Sequence, residues 1–336
     1  MNILILGANG FIGSNLSEAI LAKTDWQIHA MDLSTDKLEN CLGNTRFDFF
    51  QGDITVHKDW IHEKLIASDV VLPLVAIATP ATYVQNPLKI FELDFEANVE
   101  IIRQCVELNK RIIFPSTSEV YGMCSDAEFD EEDSHFVTGP IHKERWIYST
   151  SKQLLDRIIY AYGKHKQLSY TLFRPFNWYG PRLDNILNTK PGGSRVLTQF
   201  IGNILRGEDI MLVEGGAQQR CFTFVEDSID ALIKIIKNEN NCAASKIFNI
   251  GNPYENYSIR SLAELLIKLI KTYPKFADKA SQTKLVDVSA EKYYGSGYQD
   301  VSLRVPAVKR AEKDLQWTPS TNLETGLKKT LDFYLK

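Results

Sequence analysis

Apolar residues open this chain as short continuous runs, each followed by a stretch whose apolar positions recur three and four apart. Ile3-Leu4-Ile5-Leu6 is the first run. No polar residue alternates within it, so it predicts a strand buried on both faces. Residues 11–21 carry the helical spacing that follows. The same alternation predicts strands over 27–31, 46–51, 70–75, 111–114 and 169–173, and helices over 57–66, 91–108 and 147–162. Near-continuous apolar strands alternating with amphipathic helices imply an α/β fold with a doubly wound parallel sheet of Rossmann type.

The pattern changes after Arg174-Pro175. Glycine and proline cluster over 177–193, and helical periods dominate at 196–205, 227–236, 258–272 and 323–334. Ser258 stands where an N-cap belongs. Residues 247–251 read as one more strand, expected to return to the main sheet. We therefore expect a dinucleotide-binding domain over 1–176 with returning segments around 221–251. A smaller α/β substrate domain over 177–336 is expected to interleave with it. The run 126–133 has six acids in eight positions and is expected as a solvated loop.

Composition removes several classes of function. Across 336 residues the hydrophobic share is 44%, the charged share 24% and the net charge −4. That leaves no basic footprint for nucleic acid. The longest apolar stretch, 70–79, is half of the ~20 residues a membrane helix needs, so no membrane partner is expected. The N-terminus enters a strand without a basic lead, unlike a signal peptide. Five scattered cysteines without C-x-x-C spacing read as reduced thiols of a cytoplasmic protein. No H-x-x-x-H pair or carboxylate cluster has metal spacing, and no metal is expected.

Three segments carry candidate chemistry. Gly7-Ala8-Asn9-Gly10-Phe11-Ile12-Gly13 lies between a predicted strand and helix, where glycines let the backbone approach a pyrophosphate resting on the helix N-terminus. Asp32 closes the second strand. An acid there accepts ribose hydroxyls and repels a 2′-phosphate, which favours NAD over NADP. Asp53, followed by Ile54, ends the third strand and suits either an adenine contact or a strand-ending turn.

Tyr148 and Lys152 are four apart on a predicted helix and share a face. An alcohol that gives up hydride must also lose a proton. Free tyrosine, with a pKa near ~10, needs a neighbouring ammonium to serve as the base. An ordinary surface pair on a helix has the same spacing. Thr117-Ser118-Glu119 follows the strand 111–114, so its hydroxyls and carboxylate fall at a strand's carboxyl end, where open parallel sheets bind ligands. A helix N-terminal acid is the alternative for Glu119.

These motifs, with Val71-Leu72-Pro73-Leu74-Val75-Ala76-Ile77-Ala78-Thr79-Pro80, residues 115–125, Arg174-Pro175-Phe176-Asn177-Trp178, Gln219-Arg220-Cys221-Phe222-Thr223 and Gly297-Tyr298-Gln299-Asp300-Val301, give the chain a resemblance over essentially its full length. It resembles extended short-chain dehydrogenases of the UDP-glucuronate decarboxylase type, in particular the ArnA-type dehydrogenase domains of bifunctional polymyxin-resistance proteins. Those carry a formyltransferase module ahead of this domain. The present chain begins at its first strand, so no such module is expected, and the pathway it serves stays open.

The resemblance implies NAD as cofactor, with Leu74 and Ala76 beside it together with the glycine turn, Asp32, Asp53, Ile54, Tyr148 and Lys152. It implies UDP-glucuronate as substrate, met by Ala78, Tyr83, Thr117, Ser118, Arg145, Asn177, Arg195, Gln218, Arg220 and Tyr298. Similar 4,6-dehydratases have Asp-Glu after the threonine, whereas Ser118-Glu119 stands here as in the decarboxylases. Oxidation of C4 would then make a β-keto acid that loses CO2 and leaves a UDP-4-keto-pentose. The resemblance gives Glu119 the proton-acceptor role and Arg304 the donor role, with Arg304 as carboxylate holder or water positioner left open. A UDP-xylose synthase that re-reduces the ketone, or another UDP-sugar epimerase or dehydratase, is the alternative. A non-catalytic dinucleotide sensor would be expected to have lost Tyr148 or Lys152. Relatives pair through the helices at 91–108 and 147–162, so a homodimer or larger homo-oligomer is expected.

Overall fold

A computed structural model describes residues 1–189, 194–295 and 297–336. The end of the glycine-proline cluster, 190–193, lies outside the described residues. A seven-stranded parallel sheet forms the centre. Its strands are β1 (Asn2–Leu6), β2 (Gln27–Asp32), β3 (Phe47–Gln51), β4 (Val70–Pro73), β5 (Arg111–Pro115), β6 (Tyr170–Pro175) and β7 (Lys246–Ile250), in the order β7-β6-β5-β4-β1-β2-β3. The expected doubly wound α/β sheet is present, and 246–250 does return to it, pairing Phe248 with Phe173.

Alternation along β1 explains why the sheet needs cover on both faces. Ile3 and Ile5 point into one apolar core and Leu4 and Leu6 into the other. Helix α1 (Phe11–Lys23) buries Leu16 and Ile20 in the first core, where α5 (Val225–Lys237) adds Ile229, Leu232 and Ile236. The second core takes Ile61 and Leu65 from α2 (Lys58–Ala67), Ile101 and Ile102 from α3 (Ala97–Glu107), and Leu155 and Ile159 from α4 (Trp146–Lys166). The chain winds outward from β1 through β2 to β3, then crosses to β4 on the other side of β1. The loops after β1 and β4 therefore diverge and open a crevice at the carboxyl ends of the strands, the position where such sheets bind ligands.

Some details differ from the periodicity. The helix read over 91–108 begins as a π-helical turn, Phe91–Glu96, before α3. One extra residue per turn has no signature in a 3.6-residue pattern, and such turns occur at functional sites. The acidic run is only partly solvated. Phe129 is buried against Tyr121, and Glu131 turns inward to accept the Asn249 backbone N–H at 2.8 Å. Among the described residues beyond β6, three small two-stranded sheets carry the loops that face the crevice. They pair Trp178–Tyr179 with Thr223–Phe224, Gln219–Cys221 with Asn256–Ser258, and Ile210–Val213 with Leu285–Val288.

Candidate active site

The first wall of the crevice is the turn between β1 and α1. Gly7 has φ +90, and a Cβ on it would lie 3.0 Å from the backbone of Leu74 and Val75. A Cβ on Gly13 would sit 2.3 Å from the Gly7 carbonyl oxygen. Only glycine lets this turn close so tightly. No side chain caps the N-terminus of α1 at Gly10, so its first amides and its dipole remain for a negative ligand. Asp32 accepts the Asn9 N–H and the Leu33 N–H, each at 2.7 Å. Burial raises its carboxyl above the usual range, and these bonds oppose the rise. The Asn9 amide reaches Ser34 at 2.8 Å. The Asp53 carboxylate closes its own turn on Thr55 at 2.7 and 2.8 Å, with Ile54 buried beside it.

The second wall is the start of α4. Tyr148 and Lys152 are both buried. Lys152 donates to the Pro115 carbonyl at 3.1 Å and lies over the Phe114 ring, fixing the ammonium at the carboxyl end of β5. Burial lowers the Lys152 pKa, while Asp94 and Asp156 favour its charge. Burial, then Asp94 and Glu119, push the Tyr148 phenol up, and a Thr117 hydrogen bond opposes them. The phenol therefore rests protonated. The Tyr83 ring stacks on it at 4.7 Å with planes 6° apart, which fixes its orientation.

Between the walls runs Ser118–Tyr121, a 3-10 turn capped by Thr117, whose hydroxyl accepts the Glu119 N–H at 3.1 Å. The chain leaves it through Gly122 at φ +58, where a Cβ would collide with the Val137 carbonyl at 1.9 Å. Glu119 is gripped by two guanidinium groups. Arg145 donates to one carboxylate oxygen, and Arg304 pairs with the other at 2.5 Å. Burial alone would raise this carboxyl, but Arg145 and Arg304 overcome it and hold it at about 2. Arg145 also donates to the Gln299 carbonyl at 2.8 Å and lies over the Tyr298 ring. Arg220 pairs with Asp300 at 2.8 Å.

One cavity of about 430 Å³ joins these groups, within the size range of small-ligand sites. Gly7, Gly10, Phe11, Ile12, Gly13, Leu74 and Ala76 line one end. Ala78, Tyr83, Thr117, Ser118, Glu119, Arg145, Tyr148, Lys152 and Arg304 line the middle, and Asn177, Arg195, Gln218, Arg220 and Tyr298 the rest. Arg195 is half exposed and paired with Asp184. Gln218 donates to the Val213 carbonyl at 3.0 Å, and Asn177 to that of Cys221 at 3.1 Å. Asn9, Asp32, Asp53 and Ile54 do not line the cavity. They sit at and beyond the carboxyl ends of β1, β2 and β3.

Three residues escaped the sequence reading. Asp94 is buried on the π-helical turn. Its Oδ1 accepts the Ile77 N–H at 2.9 Å and its Oδ2 has no partner among the described residues. Burial raises its carboxyl to about 6 against the pull of Lys152. Nothing local marks it. Tyr294 stacks on Tyr298 at 4.0 Å, and Asp300 orients Arg220. Both stand within a few residues of Tyr298, which was a usable signal.

The family model described as the NAD dependent epimerase/dehydratase family matches residues 3–251. Among solved structures, the chain is similar to the PbgP3 protein from Burkholderia pseudomallei, with 50% identity and a TM-score of 0.91, covering 99% of this chain and 96% of that one. It is also similar to a UDP-glucose 4-epimerase from Thermotoga maritima solved with UDP-glucose, at 23% identity and TM-score 0.81. A UDP-glucuronic acid 4-epimerase from Bacillus cereus, solved with UDP-glucuronic acid and NAD, matches at 22% identity and TM-score 0.82. Each of these two covers 99% of this chain and 98% of its own, and at that identity they speak for the fold.

Proposed function

This chain belongs to the NAD dependent epimerase/dehydratase family, and on that premise we propose that it catalyses NAD-dependent oxidative decarboxylation of UDP-glucuronate to a UDP-4-keto-pentose, CO2 and NADH. The observation that carries this reading is the grouping of Tyr148, Lys152 and Thr117 in one cavity with a glutamate and two arginines. The first three suit an alcohol that loses hydride and proton. The two arginines suit a ligand that brings a carboxylate.

The cradle at Gly7, Gly10 and Gly13, the uncapped α1 N-terminus and Asp32 fit a dinucleotide, and Lys152 would donate to a ribose hydroxyl of it. NAD when bound supplies the hydride acceptor. The positive charges of Lys152 and of bound NAD would favour the Tyr148 phenolate, which takes the C4 hydroxyl proton while Thr117 holds the reacting oxygen. A ketone at C4 makes the C5 carboxylate that of a β-keto acid. As CO2 leaves, the C–C bonding pair passes onto the C4 oxygen as an enolate. Thr117, Ser118 and the protonated Tyr148 would donate to that oxygen. Carbon C5 then takes a proton from the Arg304 side, from the guanidinium or from a water it holds, with Glu119 as the neighbouring proton acceptor. Two helices, α3 and α4, are proposed as the surface of a homodimer.

Incubating the protein with NAD and UDP-glucuronate tests the reading. Equal amounts of NADH and CO2 are expected, and neither with UDP-glucose. A UDP-pentose without net NADH would reassign the product to re-reduction.

A further inference from the structure

Glu119 is held too tightly to act as it stands. Both of its oxygens are taken by guanidinium groups that are themselves buried. The charged groups facing it are all cationic: Arg145, Arg304 and, behind them, Arg220 on Asp300. Tyr83, Tyr148 and Tyr298 face it as phenols whose pKa values lie above the ordinary one, raised first by burial, so they remain neutral. Three buried guanidinium groups thus meet two carboxylates. The Nε–H groups of Arg145 and Arg304 are buried with no acceptor among the described residues. One glutamate does not saturate this anion site.

We infer that Glu119 is an internal stand-in for a ligand carboxylate, and that a ligand bearing one binds by taking Arg304, with a share of Arg145, away from it. The inference rests on the proposed substrate class and deepens it. An arginine-paired carboxylate is a poor proton acceptor. Once one guanidinium has turned to the ligand, burial of Glu119 is no longer outweighed by two cations, and its proton affinity rises. The exchange makes Glu119 reactive only when an acidic sugar is in place. A neutral sugar leaves it caged.

Binding to the NAD-free protein, measured by titration calorimetry, tests the exchange without turnover. Glu119→Gln removes the internal competitor and keeps its shape. It is expected to bind UDP-glucuronate about tenfold more tightly or better, because two uncompensated buried cations then wait for the ligand. UDP-glucose affinity is expected to stay within about twofold of wild type. UDP-glucuronate should also restore a melting temperature that the substitution lowers. Unchanged or weaker UDP-glucuronate binding in a folded Glu119→Gln protein overturns the exchange, as does binding of neither sugar nucleotide. Arg304→Gln added to Glu119→Gln should erase the gain, and a gain that persists overturns Arg304 as the group exchanged. Should Glu119→Gln fail to fold, Arg304→Gln alone is expected to weaken UDP-glucuronate and spare UDP-glucose, and equal effects on both overturn it. A wild-type protein that shows the exchange yet forms no NADH would remove the proposed reaction and leave the exchange standing.

Discussion

Asp156→Leu should destabilise this protein far more than Arg174→Met, although the two residues form one ion pair. Arg174 donates to Asp156 at 3.0 Å and to the Tyr121 hydroxyl at 2.8 Å, and Ser116 donates to the same Asp156 oxygen at 2.8 Å. Their side chains are 1% and 4% exposed. Removing Asp156 strands a guanidinium that cannot shed its proton, at a cost of about 3–5 kcal/mol. Removing Arg174 strands a carboxylate, which burial already pushes up and which can become neutral. Its loss should cost about 2 kcal/mol, mostly for unmet hydrogen bonds. With both replaced by apolar residues no charge is left buried, so the double variant should lose no more than about 2 kcal/mol, well short of the sum. Urea unfolding at neutral pH, followed by fluorescence and by circular dichroism, gives the three values. A double variant that costs the sum of the singles would rule out a stranded buried charge as the cause. So would an Asp156→Leu cost below about 1 kcal/mol. Ser116 immediately precedes Thr117, so turnover should fall in Asp156→Leu beyond what the loss of folded protein explains.

Tyr148→Phe should lower kcat by about 10²–10⁴ while UDP-glucuronate affinity in the NAD-free protein changes by no more than about twofold. Unchanged turnover would remove the phenol from the proton path. Gly13→Ala places a methyl 2.3 Å from the Gly7 carbonyl oxygen and 2.8 Å from the Ala8 Cα. NAD affinity should fall by about tenfold or more and stability by about 1–3 kcal/mol, and a variant with native NAD affinity would contradict the cradle. The Glu119 carboxyl is held at about 2, below its ordinary value of about 4.3. Its ion pairs therefore stabilise the fold fully above that ordinary value and lose their effect as pH falls toward 2. The stability gap between wild type and Glu119→Gln should hold steady from neutrality to about pH 5 and narrow below about pH 4.3. A gap that widens on acidification would contradict the two-arginine cage.

How much of this was legible in the sequence depended on whether the signal was local. Ile3-Leu4-Ile5-Leu6 and the three glycines after it place the first strand, the turn and α1 within a dozen residues, and the period-four Tyr148 and Lys152 share a helix face by construction. The buried polar network is the opposite case. Tyr121 and Asn249 are bonded across 128 positions, and Arg145 and Gln299 across 154. No spacing rule spans such distances. Asp94 hides for another reason. Its burial depends on a π-helical turn that shifts the face it presents, and polar patterning would have placed it in solvent. Glu131 is hidden likewise, because Asp126, Glu128, Glu132 and Asp133 in its run do face outward while it turns in to the backbone of β7.

In the proposed reaction, oxidation at C4 turns the sugar's acid group into CO2. NMR of the nucleotide-sugar product formed from uniformly ¹³C-labelled UDP-glucuronate tests it most directly. A five-carbon UDP-4-keto sugar, labelled CO2 and one NADH for each are expected. A six-carbon product that retains its carboxylate, whether inverted at C4 or left as the ketone, would contradict it.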